Sequence, residues 1–371
     1  MKMKLQMNFT LGWLNFGMIK RSLILPLAII LFHTVSFGQS DSTFKPNGKI
    51  IVQVFDRTVY NATAGSYGMY INRAFLGYSY QFAPQWSGTI VIDAGSPTVF
   101  GNLQVKDTVG TNMETSYLYN EGSVYTSFLK FAFIEYNPTN TIKIQAGGIL
   151  QNHYITQEKF WGYRYVLQTF QDLYFKTPSS DLGFIVYFTP VEMISIDAAI
   201  TNGDGMRFNR SSWGYPKFAG GITVKPAKGL TLRAYYDNYK GNVAPNDANQ
   251  QLFSIFTGYK FRNKFRIGAE YNFHKNHNHV PGQDLFGPSL YGSYMLNKKL
   301  EFFTRFDLLQ SNTTGGDEDH WNYQKNGQLY MGGISYYPVK GISLSLSYQG
   351  WNPQNQMAFT SNIALCFEFK L

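Results

Sequence analysis

The chain has 371 residues, of which 44% are hydrophobic, 17% aromatic and only 15% charged, with a formal net charge of +9. Charged residues make up about a quarter of a typical soluble domain, so aromatic excess with charge depletion argues against one, and the single cysteine, Cys366, excludes an intrachain disulfide framework and reads as a small core residue. Mean hydropathy is −0.23, which alone reads as soluble; a membrane barrel gives the same value because its inward polar residues cancel its outward apolar ones.

At the N-terminus, Lys20 and Arg21 precede an apolar run over 23–32, then Ser36-Phe37-Gly38, small residues suited to signal peptidase, and a polar start at Gln39. The run is too short to span a bilayer, which takes about 20 residues. Residues 1–38 are expected to be an N-terminal extension and a cleaved signal peptide, with Met1 and Met18 both open as the start, and 39–371 a single barrel domain. Cleavage removes Lys2, Lys4, Lys20 and Arg21 and no acidic residue, so the net charge falls from +9 to +5.

Beyond a short polar lead, apolar and polar residues alternate. The period of two predicts about sixteen strands, near 49–56, 69–82, 85–95, 125–136, 141–149, 181–188, 193–201, 217–224, 230–238, 251–261, 264–274, 285–296, 300–310, 328–337, 342–351 and 357–371. Short turns with breaker residues, such as Ala83-Pro84, Asn137-Pro138-Thr139-Asn140, Thr189-Pro190 and Arg262-Asn263, alternate with longer polar loops at 57–68, 96–124, 150–180, 202–216, 239–250, 275–284 and 311–327, and a brief one at 352–356. This is the layout of an all-β transmembrane up-and-down antiparallel β-barrel, with tight periplasmic turns on one rim and long external loops on the other.

Strand faces agree. Over 300–310 the set Leu300, Phe302, Thr304, Phe306 and Leu308 is expected to meet lipid and Glu301, Phe303, Arg305 and Asp307 the lumen. Over 264–274 Arg266, Gly268, Glu270, Asn272 and His274 point inward, and over 230–238 so do Arg233 and Asp237. The segment 125–136 does not phase, since Lys130 and Glu135 take opposite parity, and a bulge is expected there. The last strand sets Ile363, Leu365, Phe367, Phe369 and Leu371 on one face. That ending resembles the C-terminal signature of Gram-negative outer-membrane barrels, with Leu371 where Phe is the usual residue.

The run Arg73-Ala74-Phe75-Leu76-Gly77-Tyr78, followed by Trp86-Ser87 and the strand to Asp93, resembles the early hairpin of porins grouped with the phosphate-selective porin O/P family. Glu158-Lys159-Phe160-Trp161-Gly162-Tyr163-Arg164-Tyr165, Ser179-Ser180-Asp181-Leu182-Gly183 and Asn202-Gly203-Asp204-Gly205 extend the resemblance over essentially the whole mature chain. It implies a sixteen-stranded channel, often trimeric, with an inward-folded third loop. That family's basic ladder has no residue-by-residue counterpart here.

The third long loop, 150–180, is rich in aromatic residues, with Glu158, Trp161, Tyr163, Arg164 and Tyr165 at its centre. Tyr154, Glu158, Trp161 and Tyr165 follow helical spacing, and Thr156 is placed to cap a short helix with Glu158 in its first turn. Apolar bulk needs cover, which favours folding back into the lumen as a constriction; the alternative is an external loop packed on its neighbours or on a partner subunit. Arg164 with the inward Arg73, Arg233, Arg266 and Arg305 forms a candidate cationic wall for anions, or Arg266 and Arg305 simply balance Glu270 and Asp307. The spacing of His274, His277 and His279 and the run Asp317-Glu318-Asp319-His320 allow metal ligation but read better as solvated loops. No catalytic constellation stands out.

The expectation is therefore an outer-membrane porin of a Gram-negative bacterium, not an enzyme, passing small hydrophilic solutes passively with a mild phosphate-like anion preference and no cofactor. Its partners would be outer-membrane lipid, the barrel assembly machinery, the solutes or anions themselves and further copies in a homotrimer, with no nucleic acid. The alternatives are a barrel for hydrophobic solutes, an outer-membrane enzyme, and a structural or adhesive barrel.

Overall fold

A computed structural model describes residues 44–95, 103–106, 112–115, 125–206, 211, 213–242, 244, 246–262, 264–314, 319–355 and 357–371. The signal-peptide reading and the carboxylates Asp317 and Glu318 lie outside them. Pro46–Leu371 forms one compact unit. Its strands are β1 (Asn47–Asn61), β2 (Ser66–Ala83), β3 (Trp86–Gly95), β4 (Leu103–Lys106), β5 (Asn112–Thr115), β6 (Thr126–Tyr136), β7 (Ile142–Leu150), β8 (Ser180–Val191) and β9 (Ile194–Thr201), followed by β10 (Lys217–Val224), β11 (Leu230–Lys240), β12 (Asn249–Phe261), β13 (Phe265–Lys275), β14 (Leu285–Asn297), β15 (Leu300–Ser311), β16 (Gly327–Tyr336), β17 (Ile342–Pro353) and β18 (Thr360–Lys370).

All but β4 and β5, which pair only with each other, close into one sixteen-stranded antiparallel barrel. Each barrel strand pairs with its sequence neighbours, and β18 returns to β1 over nine residue pairs from Gln53↔Lys370 to Asn61↔Asn362. Closure leaves no free edge, the condition for burying strand backbone in hydrocarbon. No described helix is long and apolar enough to cross a membrane; the crossing elements are the strands.

Alternation sorts the side chains. Phe302, Tyr330, Leu346, Ile363 and Leu365 are exposed on the outer face, while Phe303, Arg305, Asp307, Met331 and Ala364 are buried inside. Cys366 is free, fully buried and inward. At the rim of tight turns Trp86 stacks on Tyr136 at 4.2 Å, the cross-strand aromatic pairing that a membrane girdle uses.

Two sequence expectations meet particular outcomes here. Between β3 and β6 the register jumps at Val91/Ile92, with Val91 opposite Phe131 and Ile92 opposite Leu129, so Lys130 is the extra residue of a bulge and its side chain turns inward beside Phe131. The long loop expected over 57–68 is corrected: β1 and β2 run on to Asn61 and from Ser66, and the turn between them spans only 62–65. Arg57 reads as the loop start, but it is an inward strand residue whose Nη2 donates to Gln349 Oε1 at 2.8 Å.

Candidate functional site

The loop between β7 and β8, residues 151–179, packs against the inner wall. It begins with a two-turn helix, α1 (Ile155–Trp161). The cap differs from the expected one: Tyr154 is the N-cap, no side chain caps the helix, and Thr156 lies within its first turn. The helix start is held from the wall instead, where Arg233 Nη2 donates to the Asn152 carbonyl at 2.9 Å. Gly162 ends the helix at φ 77°, its N–H donating to the Glu158 carbonyl, and a Cβ there would come within 2.6 Å of Arg266 Nη1. Glycine thus supplies both the left-handed C-cap and room for the guanidinium.

The aromatic residues of this loop form its contact with the barrel. Trp161, Tyr163 and Tyr165 are 1%, 0% and 2% exposed, which makes them anchors rather than pore-lining surfaces. Tyr163 stacks on Phe303 at 4.3 Å, Trp161 meets Tyr291 edge-on at 5.2 Å, and Phe160 meets Phe256 at 5.2 Å. Tyr165 sits beside Phe55 and shares a hydrogen bond with Ser345 Oγ at 2.6 Å. A π-helical turn, Gln171–Phe175, follows, with Gln171 Nε2 donating to Asn272 Oδ1 at 2.6 Å. The loop therefore rests mainly on β11–β18 and β1, and the space it leaves lies against the opposite wall.

Each of the five arginines singled out in the sequence has a carboxylate partner. Arg73 pairs with Asp93, Nε donating to Oδ1 at 3.0 Å. Arg164 bridges Glu158 at 3.1 Å and Asp172 at 3.0 Å within the loop. Burial holds the Glu158 carboxyl above its ordinary value against the opposing pull of Arg164. Arg233 reaches Asp197 at 2.7 Å across β10, passing over Gly221, where a Cβ would fall 2.4 Å from its Nη2. Arg266 pairs with Glu301 at 3.2 Å and Arg305 with Asp307 at 2.7 Å. Arg305 is balanced by Asp307 as the alternative had it, whereas Arg266 takes Glu301 rather than Glu270. An uncompensated arginine wall is not what these residues make.

The open part of the lumen has a different lining. Two adjoining cavities of about 430 and 480 Å³ share Asn152, Ile155, Lys159 and Tyr187. The first also carries Lys130, Lys143, Glu158 and Arg164, and the second Lys225, Lys260, Arg233, Glu192 and Asp197. Since Arg164 and Arg233 are neutralised locally, the surplus is lysine: Lys159, Lys225 and Lys260 have no carboxylate within ion-pair distance among the described residues, while Lys143 stands 3.9 Å from Glu135. Lys260 Nζ lies 5.0 Å over the Phe160 ring. Sequence reading passed over these lysines; the parity break at Lys130 was the one signal that pointed to any of them.

His274 and His277 bring their Nδ1 atoms to 3.1 Å, but His279 turns away to the Ala248 carbonyl at 3.0 Å. No group of three metal-ligating side chains converges among the described residues.

With the geometry in place, comparison with known proteins adds the following. The family model described as "Putative beta-barrel porin-2, OmpL-like" matches residues 172–353. No curated protein matches the chain. Among solved structures the barrel is similar to the outer membrane channel DcaP of Acinetobacter baumannii, with a TM-score of 0.61 and 14% identity over 90% of this chain and 99% of that one. It is similar also to OmpF of Salmonella typhi, TM-score 0.61, at 12% identity over 87% and 97%. OmpT of Vibrio cholerae gives 0.57 at 10% identity over 90% and 100%, and a trimer form of OmpT is among the neighbours.

Proposed function

We infer that the protein is an outer-membrane porin of a Gram-negative bacterium, exported with an N-terminal signal removed near Gly38, through which small hydrophilic solutes diffuse passively with a mild preference for anions. The observation that carries this reading is the lysine-lined space that the inward loop leaves beside β1–β3 and β6–β12. A polar passage lowers the cost of moving a hydrophilic solute past hydrocarbon, and uncompensated cations in a space of reduced dielectric raise the local concentration of anions. The partial match to a porin family model and the porin-like fold support a channel over an enzyme. Neither the likeness to the phosphate-selective family nor the paired arginines supply a built phosphate ladder, so the preference proposed is for small anions generally.

Homotrimer assembly belongs to the same reading. Asp56 stands on the outer face of β1 opposite Phe367 and Ile71, where a carboxylate is costly against lipid and better placed against another copy. Both parts are tested on detergent-extracted protein. Light scattering is expected to give three chains per particle, and the reversal potential across a KCl gradient in planar bilayers to lie on the anion side. The Lys159→Glu/Lys260→Glu double variant should move it toward cations. Absence of any conductance from folded barrels would refute the channel, and an unmoved reversal potential would refute the lysine assignment.

A further inference from the structure

A third cavity, about 600 Å³, opens toward the long-loop rim on the other side of the inward loop. It lies among β14–β17, the 276–284 loop, the 321–326 turn and the Leu167–Lys176 part of the inward loop, and it shares no lining residue with the lysine-lined space. Its walls are of two kinds. Trp321, Trp351 and Tyr174 supply aromatic surface over a floor that includes Leu167, Leu173 and Leu309. The rim carries Lys176, Lys325 and amide side chains such as Asn322.

The polar ends of two of the aromatics are already engaged: Trp321 Nε1 donates to the Asp284 carbonyl at 2.9 Å and Tyr174 Oη to Asp307 Oδ2 at 2.9 Å. These bonds, with the Tyr174–Trp351 contact at 5.9 Å and the His277–Trp321 stack at 5.8 Å, hold the rings as preorganised surfaces. The charge of the cavity has one sign. None of its lining residues is acidic, and Lys176 and Lys325, both exposed, have no ion-pair partner among the described residues. His277 adds no charge at neutral pH, because burial, with Lys325 beside it, pushes its imidazole down to about 4.

We propose that this cavity binds a small organic anion with a flat apolar body, the body lying against Trp321 and Trp351 and the anionic group directed to the Lys176 and Lys325 rim. The leucine floor favours this ligand over a sugar, since a hydroxyl group laid on Leu167, Leu173 or Leu309 finds no partner, while an apolar body gains by leaving water. The size is that of an ordinary small-molecule pocket. The site goes beyond passive diffusion, for it would hold one class of solute at the mouth.

The test is calorimetric titration of naphthalene-2-sulfonate into the folded full chain in nonionic detergent, with detergent alone as blank. One saturable site per chain is expected, weakened about tenfold or more in the Lys176→Gln/Lys325→Gln double variant and in Trp321→Ala. Because the two lysines are exposed, the double variant keeps the test valid where Trp321→Ala fails to fold. No saturable heat above the blank, undiminished binding in the double variant, or binding of maltotriose in place of the sulfonate would each overturn the proposal. Binding is read without any current, so a barrel that conducts but does not bind overturns this site alone, and one that binds but does not conduct overturns the channel reading alone.

Discussion

Arg305 and Asp307 lie two positions apart on β15 and therefore on one face, the inner one, where both are fully buried. Asp307 accepts from Arg305 Nε and Nη2, from Ser289 Oγ at 2.5 Å and from Tyr174 Oη at 2.9 Å. Arg305 in turn donates Nη1 to the Gln168 carbonyl at 2.5 Å and lies 5.4 Å over the Trp161 ring. One wall pair thus grips the inward loop at three places. Removing only the carboxylate leaves a buried cation without its partner, a loss on the order of 3–5 kcal/mol, whereas replacing both by apolar groups of similar volume is much milder. Asp307→Asn is therefore expected to lower the temperature at which the folded band is lost on gels and to expose the 151–179 loop to protease. The Arg305→Met/Asp307→Leu double variant should lie closer to the parent in the first measurement. Equal damage from both would show that the pair's charge balance is not what holds the loop.

At the scale of the element, the loop is a helix and a π-turn carried into the barrel by aromatic side chains. Trp161, Tyr163, Phe160 and Phe170 are all within 5% of full burial. Truncating a buried tryptophan costs about 3–5 kcal/mol in a core, and a loop tied at its two ends has fewer contacts than a core to absorb that loss. Deleting 157–170 is expected to raise single-channel conductance, and Trp161→Ala to make the current noisy at nearly unchanged mean. Unchanged conductance on deletion, with barrels folded, would remove the loop from the solute's path. Much of this element was legible beforehand, because an aromatic run between two membrane strands has to find cover. What the chain did not disclose was which quadrant it would fill. That depends on contacts such as Tyr163 with Phe303 and Tyr165 with Ser345, far apart in sequence. For the same reason the choice between a cationic wall and balanced pairs stayed open in the sequence: Arg233 meets Asp197 across an intervening strand, where a glycine lets it pass. The lysines that face the open quadrant were scattered over strand ends (Lys143, Lys260), a turn (Lys225), α1 (Lys159) and a bulge (Lys130), with no shared local pattern. Strand parity, by contrast, follows from a local period of two and was readable nearly everywhere; it failed at 57–68, where adjacent charges in β1 imitate a loop.

For the whole molecule the decisive contact is the seam. β1 and β2 are joined by a tight turn and β17 and β18 by another short link, so β1–β18 is the pairing that brings together the two ends of the barrel sequence. Its loop-closure cost cannot be offset until the sheet has nearly formed. On the outer face Val54 lies opposite Phe369 and Thr58 opposite Leu365, while on the inner face Gln53 Nε2 donates to Glu368 Oε1 at 2.6 Å. The chain end itself takes part, with the Leu371 N–H donating to the Val52 carbonyl at 3.1 Å. Removing 367–371 would strip the partners from Gln53 to Asp56 and leave backbone donors and acceptors of β1 facing hydrocarbon, at several kcal/mol for each unsatisfied group. Phe369→Asp keeps the backbone pairs but puts a carboxylate on the lipid face beside Val54. Both variants are expected to be synthesised at normal levels and to lose the heat-modifiable folded form. Lys370→Ala is the control, because its ion pair with Glu368 is long at 3.9 Å and its side chain is exposed at the rim, so the barrel should assemble as before. Normal assembly of the truncated chain would mean that the seam is sealed by something other than the last five residues, and failure of Lys370→Ala would locate the assembly signal in charge rather than in the alternating apolar face.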